Sequence, residues 1–223
     1  MSVAIALEPA SVALVGAHCD DIAIGAGATL LQMTRRNPQL VVHALVLTGA
    51  GTDREIEEKN AFAAFCGAAE VHLTVHDLPD GQLPRHWGDV KERIAAFRRT
   101  CEPDLVIGPQ RFDAHQDHRL LAELMPTEFR GHPYWGYEIL KWESDLPTPN
   151  VFHPATAEDT ERKARLLHDN YPSQTDKPWF DEQAFTGLMR IRGVQCRRQY
   201  AEGFVADKVC VGLPESERKP CVS

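Results

Sequence analysis

The chain has 223 residues, with 24 basic and 32 acidic side chains and a formal charge of −8. That length fits one α/β domain with a full core, and the acidic balance argues against nucleic acid or an anionic membrane as partner, since both require a basic footprint. No apolar run approaches the ~20 residues of a spanning helix, the N-terminus lacks the basic stretch of a signal peptide, and cysteines 19, 66, 101, 196, 210 and 221 show no CxxC spacing, so a cytoplasmic protein with free thiols is expected.

Residues 1–10 read as a loose lead-in. Ser11 to Ala17 is an apolar run of strand length, and Ile22 to Arg36 follows as a small-residue helix. Between them stand His18, Cys19, Asp20 and Asp21. In a parallel α/β sheet the C-terminal end of a strand is where ligands and catalytic groups gather. His18 and Asp21, three apart, can face one point, and a neutral imidazole with a carboxylate suits a first-row metal. Asp20 projects differently and could reach a water beside the ion. The stretch alone leaves a second reading open, a plain helix N-cap.

Leu40–Leu47 reads as the second strand, Arg54–Gly67 as a helix, Val71–Val75 as the third strand, His86–Cys101 as a helix and Leu105–Gly108 as the fourth strand. After that strand come Asp113, His115, Asp117 and His118, just before an amphipathic helix. Two strand ends that each carry His and Asp are harder to explain as unrelated caps. His118 would complete three ligands and leave a fourth position open, as catalytic zinc sites do. Strands alternating with helices predict right-handed βαβ crossovers and a Rossmann-like three-layer α/β fold. Its parallel sheet, in the order 3-2-1-4-5 with helices on both faces, would bring strands one and four together at the switch point. Tyr134–Leu140 would be the fifth strand and Val151-Phe152 a short one. Ala155–Asn170 and Asp181–Gly193 read as helices, Gly203–Val211 as a last strand. No repeat or linker divides the chain, so one domain over 1–213 and a flexible tail over 214–223 are expected.

These residues carry a resemblance. AHCDDIAIGAGATL is similar to the AHPDD signature of the LmbE/PIG-L-like zinc-dependent N-deacetylases, and DAHQDHR resembles that family's second motif. Fainter echoes are Asp80-Gly81, Ser173-Gln174, Arg192-Gly193 and YAEGF at 200–204. Cys19 stands where the family has proline, which bears on the stiffness of the loop. The resemblance implies a metal-dependent hydrolase that removes the N-acetyl group from an amino sugar, free, nucleotide-linked or glycosidically linked. His18, Asp21 and His118 would hold Zn2+, with other divalent first-row metals able to replace it. Asp20 would be the general base, and His115 would stabilise the oxyanion or protonate the leaving amine. Asp117 would orient His115, a role open to Asp113 as well. Arg54 would contact sugar hydroxyls, and Tyr137, Glu138, Trp142 and Glu143 form an aromatic and acidic cluster suited to a sugar. A small N-acetylated sugar is thus the expected partner, with no nucleic acid and no membrane span, and a homo-oligomer is compatible with the sequence. Histidines 43, 72, 76, 86, 132, 153 and 168 read as structural.

Four rival readings remain. Gly25-Ala26-Gly27 suggests a dinucleotide site, but these glycines lie past the turn where the fingerprint needs them. A metal-holding sugar-binding protein would not need Asp20 and His115. A cysteine hydrolase using Cys19 lacks a clear base, and an amidase for a bulkier amide would use the same site.

Overall fold

The computed structural model of the protein describes residues 6–209. β1 (Ser11–Gly16), β2 (Val41–Val46), β3 (Glu70–Val75), β4 (Leu105–Pro109) and β5 (Tyr134–Tyr137) run parallel. They are linked by α1 (Asp21–Arg36), α2 (Asp53–Cys66), α3 (Trp87–Arg98) and α4 (Gln116–Glu128), and β6 (Val151–Ala155), α5 (Ala157–Asn170), α6 (Glu182–Gln195) and β7 (Tyr200–Val205) follow.

One sheet of seven strands results, in the order β3-β2-β1-β4-β5-β7-β6. This corrects the expected five-stranded, wholly parallel sheet. β7 lies antiparallel to β5, and β6 antiparallel to β7, so the sheet is mixed. A hydrophobic run announces a strand but not its direction, and antiparallel edge strands on a parallel sheet are common. The last strand is also shorter than expected, ending at Val205. Residues 210 and 211 of the expected strand, Cys210, Cys221 and the tail over 214–223 lie outside the described residues.

Alternate strand residues feed the two faces. Val12, Leu14, Val42, Ala44 and Ile107 pack with Ile22, Phe62, Phe65 and Leu167 on one side. Ala13, Val15, Leu45 and Val106 pack with Val90, Ile94, Leu120 and Leu121 on the other. Burial on both faces is why β1 and β4 read as continuous apolar runs. The pairing of Leu14 with Ile107 across β1 and β4 sets the loop after Gly16 beside the loop after Pro109, so both His/Asp stretches leave the same sheet edge. Among the described residues no helix is long and apolar enough to cross a membrane.

The glycines of α1 have a packing reason. A Cβ on Gly25 would lie 2.5 Å from Cγ of Tyr137, and one on Gly27 would lie 2.7 Å from Cε1 of Phe65. They let two aromatic rings press against the helix backbone, which removes the basis of the dinucleotide reading. Tyr137 is correspondingly core: it is fully buried, and its hydroxyl donates to the Val15 carbonyl at 3.0 Å. A buried ion pair fastens α1 further. Lys163 Nζ lies 2.6 Å from Glu202 Oε1, and the Glu202 carboxylate accepts from the N–H groups of Ala28 and Thr29.

Gly25→Ala should therefore overpack the Tyr137 contact and destabilise the fold by about 1–3 kcal/mol. A urea midpoint identical to the parent's would show that the ring and helix have room the structure does not give them.

Candidate metal centre at the ends of β1 and β4

The turn after β1 is closed by Asp21, whose Oδ2 accepts from the backbone N–H of Ala17 and of His18, both at 2.9 Å. Asp20 occupies the residue before α1 with φ 108°, a backbone region that a non-glycine residue enters only at a cost. His18, Asp21 and His118 then converge. His18 Nδ1 is 3.2 Å from His118 Nε2, Asp21 Oδ2 is 3.2 Å from His118 Nε2, and it is 3.6 Å from His18 Nδ1. Ligands at about 2.0–2.1 Å from one tetrahedral ion stand roughly 3.3 Å apart, so these three atoms have the spacing of a ligand set.

The far sides of both rings support the same reading. Asp113 Oδ2 lies 3.0 Å from His118 Nδ1. Asp80 Oδ1 and Asp117 Oδ2 lie 2.9 and 3.3 Å from His18 Nε2. Each imidazole thus points one nitrogen at the centre and backs the other with a carboxylate, the arrangement that fixes the tautomer of a metal-ligating histidine. The residues present fit a divalent ion.

His115 lies close by, its ring centroid 4.7 Å from that of His18 and 4.9 Å from that of His118. Among the described residues it shares two clusters with cation-binding spacing, one with His18 and His118, the other with His18, Asp80 and Asp117. It lacks the carboxylate backing of the other two rings. Its Nδ1 instead accepts from the Asp117 backbone N–H at 3.3 Å, capping α4. The neutral tautomer that this bond selects carries its proton on Nε2. Asp117 thus meets the His115 ring through its backbone N–H, not through the carboxylate that was expected to orient it. The Asp117 carboxylate is fully occupied elsewhere, accepting from the N–H groups of Gly81 at 2.8 Å and Leu83 at 3.0 Å and facing His18. Asp113 does not orient the His115 ring either; it accepts from the His115 backbone N–H and pairs with Lys141 at 2.9 Å.

The electrostatics follow from burying many carboxylates together. Burial alone would lower the His18 pKa, but Asp21, Asp117 and Asp80 outweigh it and raise it well above the usual value. His118, also desolvated, is pushed up to about 9 by Asp21 and Asp113. Burial works to raise Asp21, yet the two histidines hold it well below the carboxylate range. Asp20 is pushed up to about 6 by burial, against the pull of Arg54. Burial and the neighbouring His18 and His118 lower His115, so it stands as a neutral imidazole.

Of the expected substrate contacts, the structure brings one to the site. Arg54 Nη2 pairs with Asp20 Oδ2 at 2.9 Å and donates to the Cys19 carbonyl. Its Nη1 lies 2.9 Å from Glu57 Oε2 and 3.0 Å from Ser173 Oγ. Arg54 therefore serves as a strut under Asp20 instead of a free hand for hydroxyls. Tyr137 is core, and Glu138 is buried against Arg192, with contacts of 2.7 and 2.5 Å. Trp142 is 69% exposed, and Glu143 is exposed beside it. The aromatic and acidic cluster thus splits between core and solvent. Cys19 is buried, donates to the Thr48 carbonyl at 3.5 Å, and has its thiol pKa driven far upward by burial, the opposite of an activated nucleophile.

Four contributors carried no role in the sequence reading: Asp80, Lys141, Glu58 and Tyr171. Glu58 had a signal, standing on the stripe of Phe62 and Phe65 in α2, where a carboxylate is out of place.

The family model for GlcNAc-PI de-N-acetylase (PIG-L) matches residues 13–127, which hold both His/Asp stretches. Diacetylchitobiose deacetylase of Thermococcus kodakarensis is 28% identical over 116 residues, covering 46% of this chain and 42% of that protein, so less than half of the relative is spanned. Two solved structures share the fold. N,N'-diacetylchitobiose deacetylase of Pyrococcus horikoshii aligns with a TM-score of 0.67 and 17% identity, covering 89% of this chain and 84% of that one. GalB, the 4-carboxy-2-hydroxymuconate hydratase of Pseudomonas putida KT2440, aligns with a TM-score of 0.71 and 18% identity, covering 91% and 98%.

Metal content should track the three converging ligands. His18→Ala, Asp21→Ala and His118→Ala should each lose most of their zinc, since an incomplete shell binds weakly, while His115→Ala keeps it. Elemental analysis giving parent-level zinc in the three, or its loss in His115→Ala, would reassign the centre.

Zinc binding should also release protons. With His118 raised to about 9 and His18 raised too, the pair of rings holds at least one extra proton at neutral pH, and a ligand nitrogen must be free of its proton. Zinc affinity should climb with pH towards about 9, and calorimetric titration at pH 7.5 should give a binding enthalpy that changes with the buffer's ionisation enthalpy. An enthalpy indifferent to the buffer would mean that neither ring is charged.

Proposed function

The chain belongs to the PIG-L family, and from that membership together with its site we propose that it is a metal-dependent hydrolase that removes the acetyl group from an N-acetylated amino sugar. The observation that carries the reading is the convergence of His18 Nδ1, Asp21 Oδ2 and His118 Nε2, with Asp20 and His115 beside them and outside the ligand set. His18, Asp21 and His118 would hold the ion. Two nitrogens, one oxygen and an open position favour zinc, and manganese, iron or cobalt could stand in. When bound, the ion supplies Lewis-acid polarisation of the acetyl carbonyl and lowers the pKa of water at the site.

The chain's own residues do the rest. Arg54 holds Asp20 Oδ2, which leaves Oδ1 to accept a proton from the attacking water. A pKa of about 6 keeps Asp20 ionised at neutral pH yet basic enough for that transfer. His115, neutral with its proton on Nε2, donates to the oxygen on which charge develops at the acetyl carbon. As the C–N bond breaks, that carbon keeps the water's oxygen, and the amine leaves with the proton that Asp20 collected. The products are acetate and a free amino sugar. Asp80 and Asp117 hold the His18 ring, and Asp113, paired with Lys141, holds that of His118.

The curated relative is a diacetylchitobiose deacetylase, which supports a conjugated N-acetylglucosamine as substrate class, whether glycosidically or nucleotide linked. Residues 1–213 would form the single domain that carries this activity. GalB bears a hydratase name on the same fold, so acetate, the product that only deacylation yields, is the discriminating readout. A panel of N-acetylglucosamine conjugates, assayed with zinc-loaded protein, should release acetate from at least one; no acetate from any of them would reject the proposal.

Asp20→Asn should retain zinc and the fold but lower turnover by ~100-fold or more, because the amide cannot accept the proton. In the parent, turnover should rise with pH through about 6 as Asp20 ionises. Parent-level turnover in the variant, or a parent profile flat across that range, would assign the base elsewhere.

A further inference from the structure

The reaction site rests on a carboxylate that takes no part in it. Glu58 is 0% exposed, in the middle of α2. Its Oε2 accepts from the backbone N–H of Asp20 at 2.9 Å and from the Tyr171 hydroxyl at 2.7 Å, while Oε1 has no partner among the described residues. Burying a carboxyl group with one oxygen unsatisfied costs stability, and an apolar residue would suit the stripe of Phe62 and Phe65 better. Burial pushes Glu58 up to about 8, so at neutral pH the group is mainly the uncharged acid and adds little negative charge beside Asp20 and Asp21.

The residue it holds is the strained one. Among the described residues only Asp20 and Arg197 are non-glycine residues with positive φ. That conformation separates Asp20 from its neighbour: Asp21 turns inward to Ala17, His18 and His118, while Asp20 turns to Arg54. A strained residue persists only where its surroundings over-determine it. Here the bond from the Asp20 N–H to Glu58 fixes the peptide from below, and the Arg54 pair fixes the side chain from the flank. Arg54 and Glu58 sit one helical turn apart on α2, so one rigid element sets both ends of Asp20. Tyr171, fully buried at the end of α5, in turn sets the Glu58 carboxyl.

We propose that Glu58, held by Tyr171, is a positioning residue that locks the Asp20 backbone in its left-handed turn and so aims the Asp20 carboxylate away from the three metal ligands and toward the reacting water. The catalytic part of this statement rests on the deacetylase reading; the geometric part does not. An uncharged acceptor should suffice for the lock, which makes Glu58→Gln the conservative replacement and Glu58→Leu the disruptive one.

Two readouts test it, one independent of turnover. In a crystal structure of Glu58→Leu, Asp20 should leave positive φ and its contact with Arg54 should break, whereas Glu58→Gln should keep both. An Asp20 unchanged in Glu58→Leu overturns the lock, whatever the protein catalyses. With an acetate-yielding substrate, Glu58→Leu should lower kcat by ~10 to 100-fold with zinc content and KM near parent values, and Glu58→Gln should restore kcat to within about threefold. In an Asp20→Asn background, Glu58→Leu should cost little more, because both act through one group. Full additivity of the two substitutions, or parent kcat in Glu58→Leu, overturns the positioning role. If Glu58→Leu does not fold, Tyr171→Phe removes one hydroxyl and should show the same kcat loss at smaller size; parent kcat there overturns the role of Tyr171. Absence of acetate from the parent protein would reject the deacetylase reading and leave the Asp20 geometry to decide the lock on its own.

Discussion

Asp20, Asp21, Asp113 and Asp117 are all buried where β1 and β4 end, and their negative charge has to be matched within a few ångströms. Isolated buried carboxylates cost too much to persist. The structure answers with Arg54 on Asp20, Lys141 on Asp113, and the imidazoles of His18 and His118 between Asp21, Asp80, Asp113 and Asp117. The same carboxylates push both imidazoles above their ordinary pKa, so protons on the rings help to offset that charge. A divalent cation would supply the same compensation more compactly, with both rings neutral. The adjacent aspartates are set apart by the same surroundings: the two histidines hold Asp21 low in pKa, and burial raises Asp20.

Much of this was legible in the residues. The apolar runs at 12–15 and 105–107 are continuous because both faces of the sheet are covered, and such runs announce buried parallel strands. A His or Asp at the end of such a run has no apolar reason to be there, which is why His18, Asp21 and His118 stood out. The antiparallel β6 and β7 were not legible as such, since strand direction leaves no mark on a short hydrophobic segment. Tyr137 misled for a related reason: an aromatic near a sheet edge reads as a ligand contact until the glycine it packs on, Gly25, is brought beside it. Arg54 was read as a hydroxyl contact because its partners, Asp20, Glu57 and Ser173, come from three separate parts of the chain. His115 lies beside His18 and His118, and its capping bond to the Asp117 N–H, not a carboxylate, sets its tautomer.

Fold and function separate cleanly here. The sheet order and the helices on both faces put two loops at one edge, and the solved structures that share this architecture bear both deacetylase and hydratase names. What the loops contain is what selects a chemistry. In this chain one loop gives Asp20 on a strained backbone with His18 and Asp21, the other gives His118 and His115, and under the proposed reading these are a base, three ligands and a neutral imidazole. Around them stands a ring of carboxylates whose partners among the described residues are those rings, two cations and backbone N–H groups.

His18 presents one nitrogen to each of two sets of groups, Nδ1 to Asp21 and His118, Nε2 to Asp80 and Asp117. The central claim is that the first set is the centre and the second merely braces it. The most direct test is anomalous diffraction at the zinc edge from crystals of the protein loaded with one equivalent of zinc. The account requires a single peak about 2.0–2.1 Å from His18 Nδ1, His118 Nε2 and an Asp21 carboxylate oxygen, with Asp20 and His115 close by but unbonded to the ion. A peak on the far side of the His18 ring, held by Nε2 with Asp80, Asp117 and His115, would contradict it and turn the supposed proton donor into a ligand.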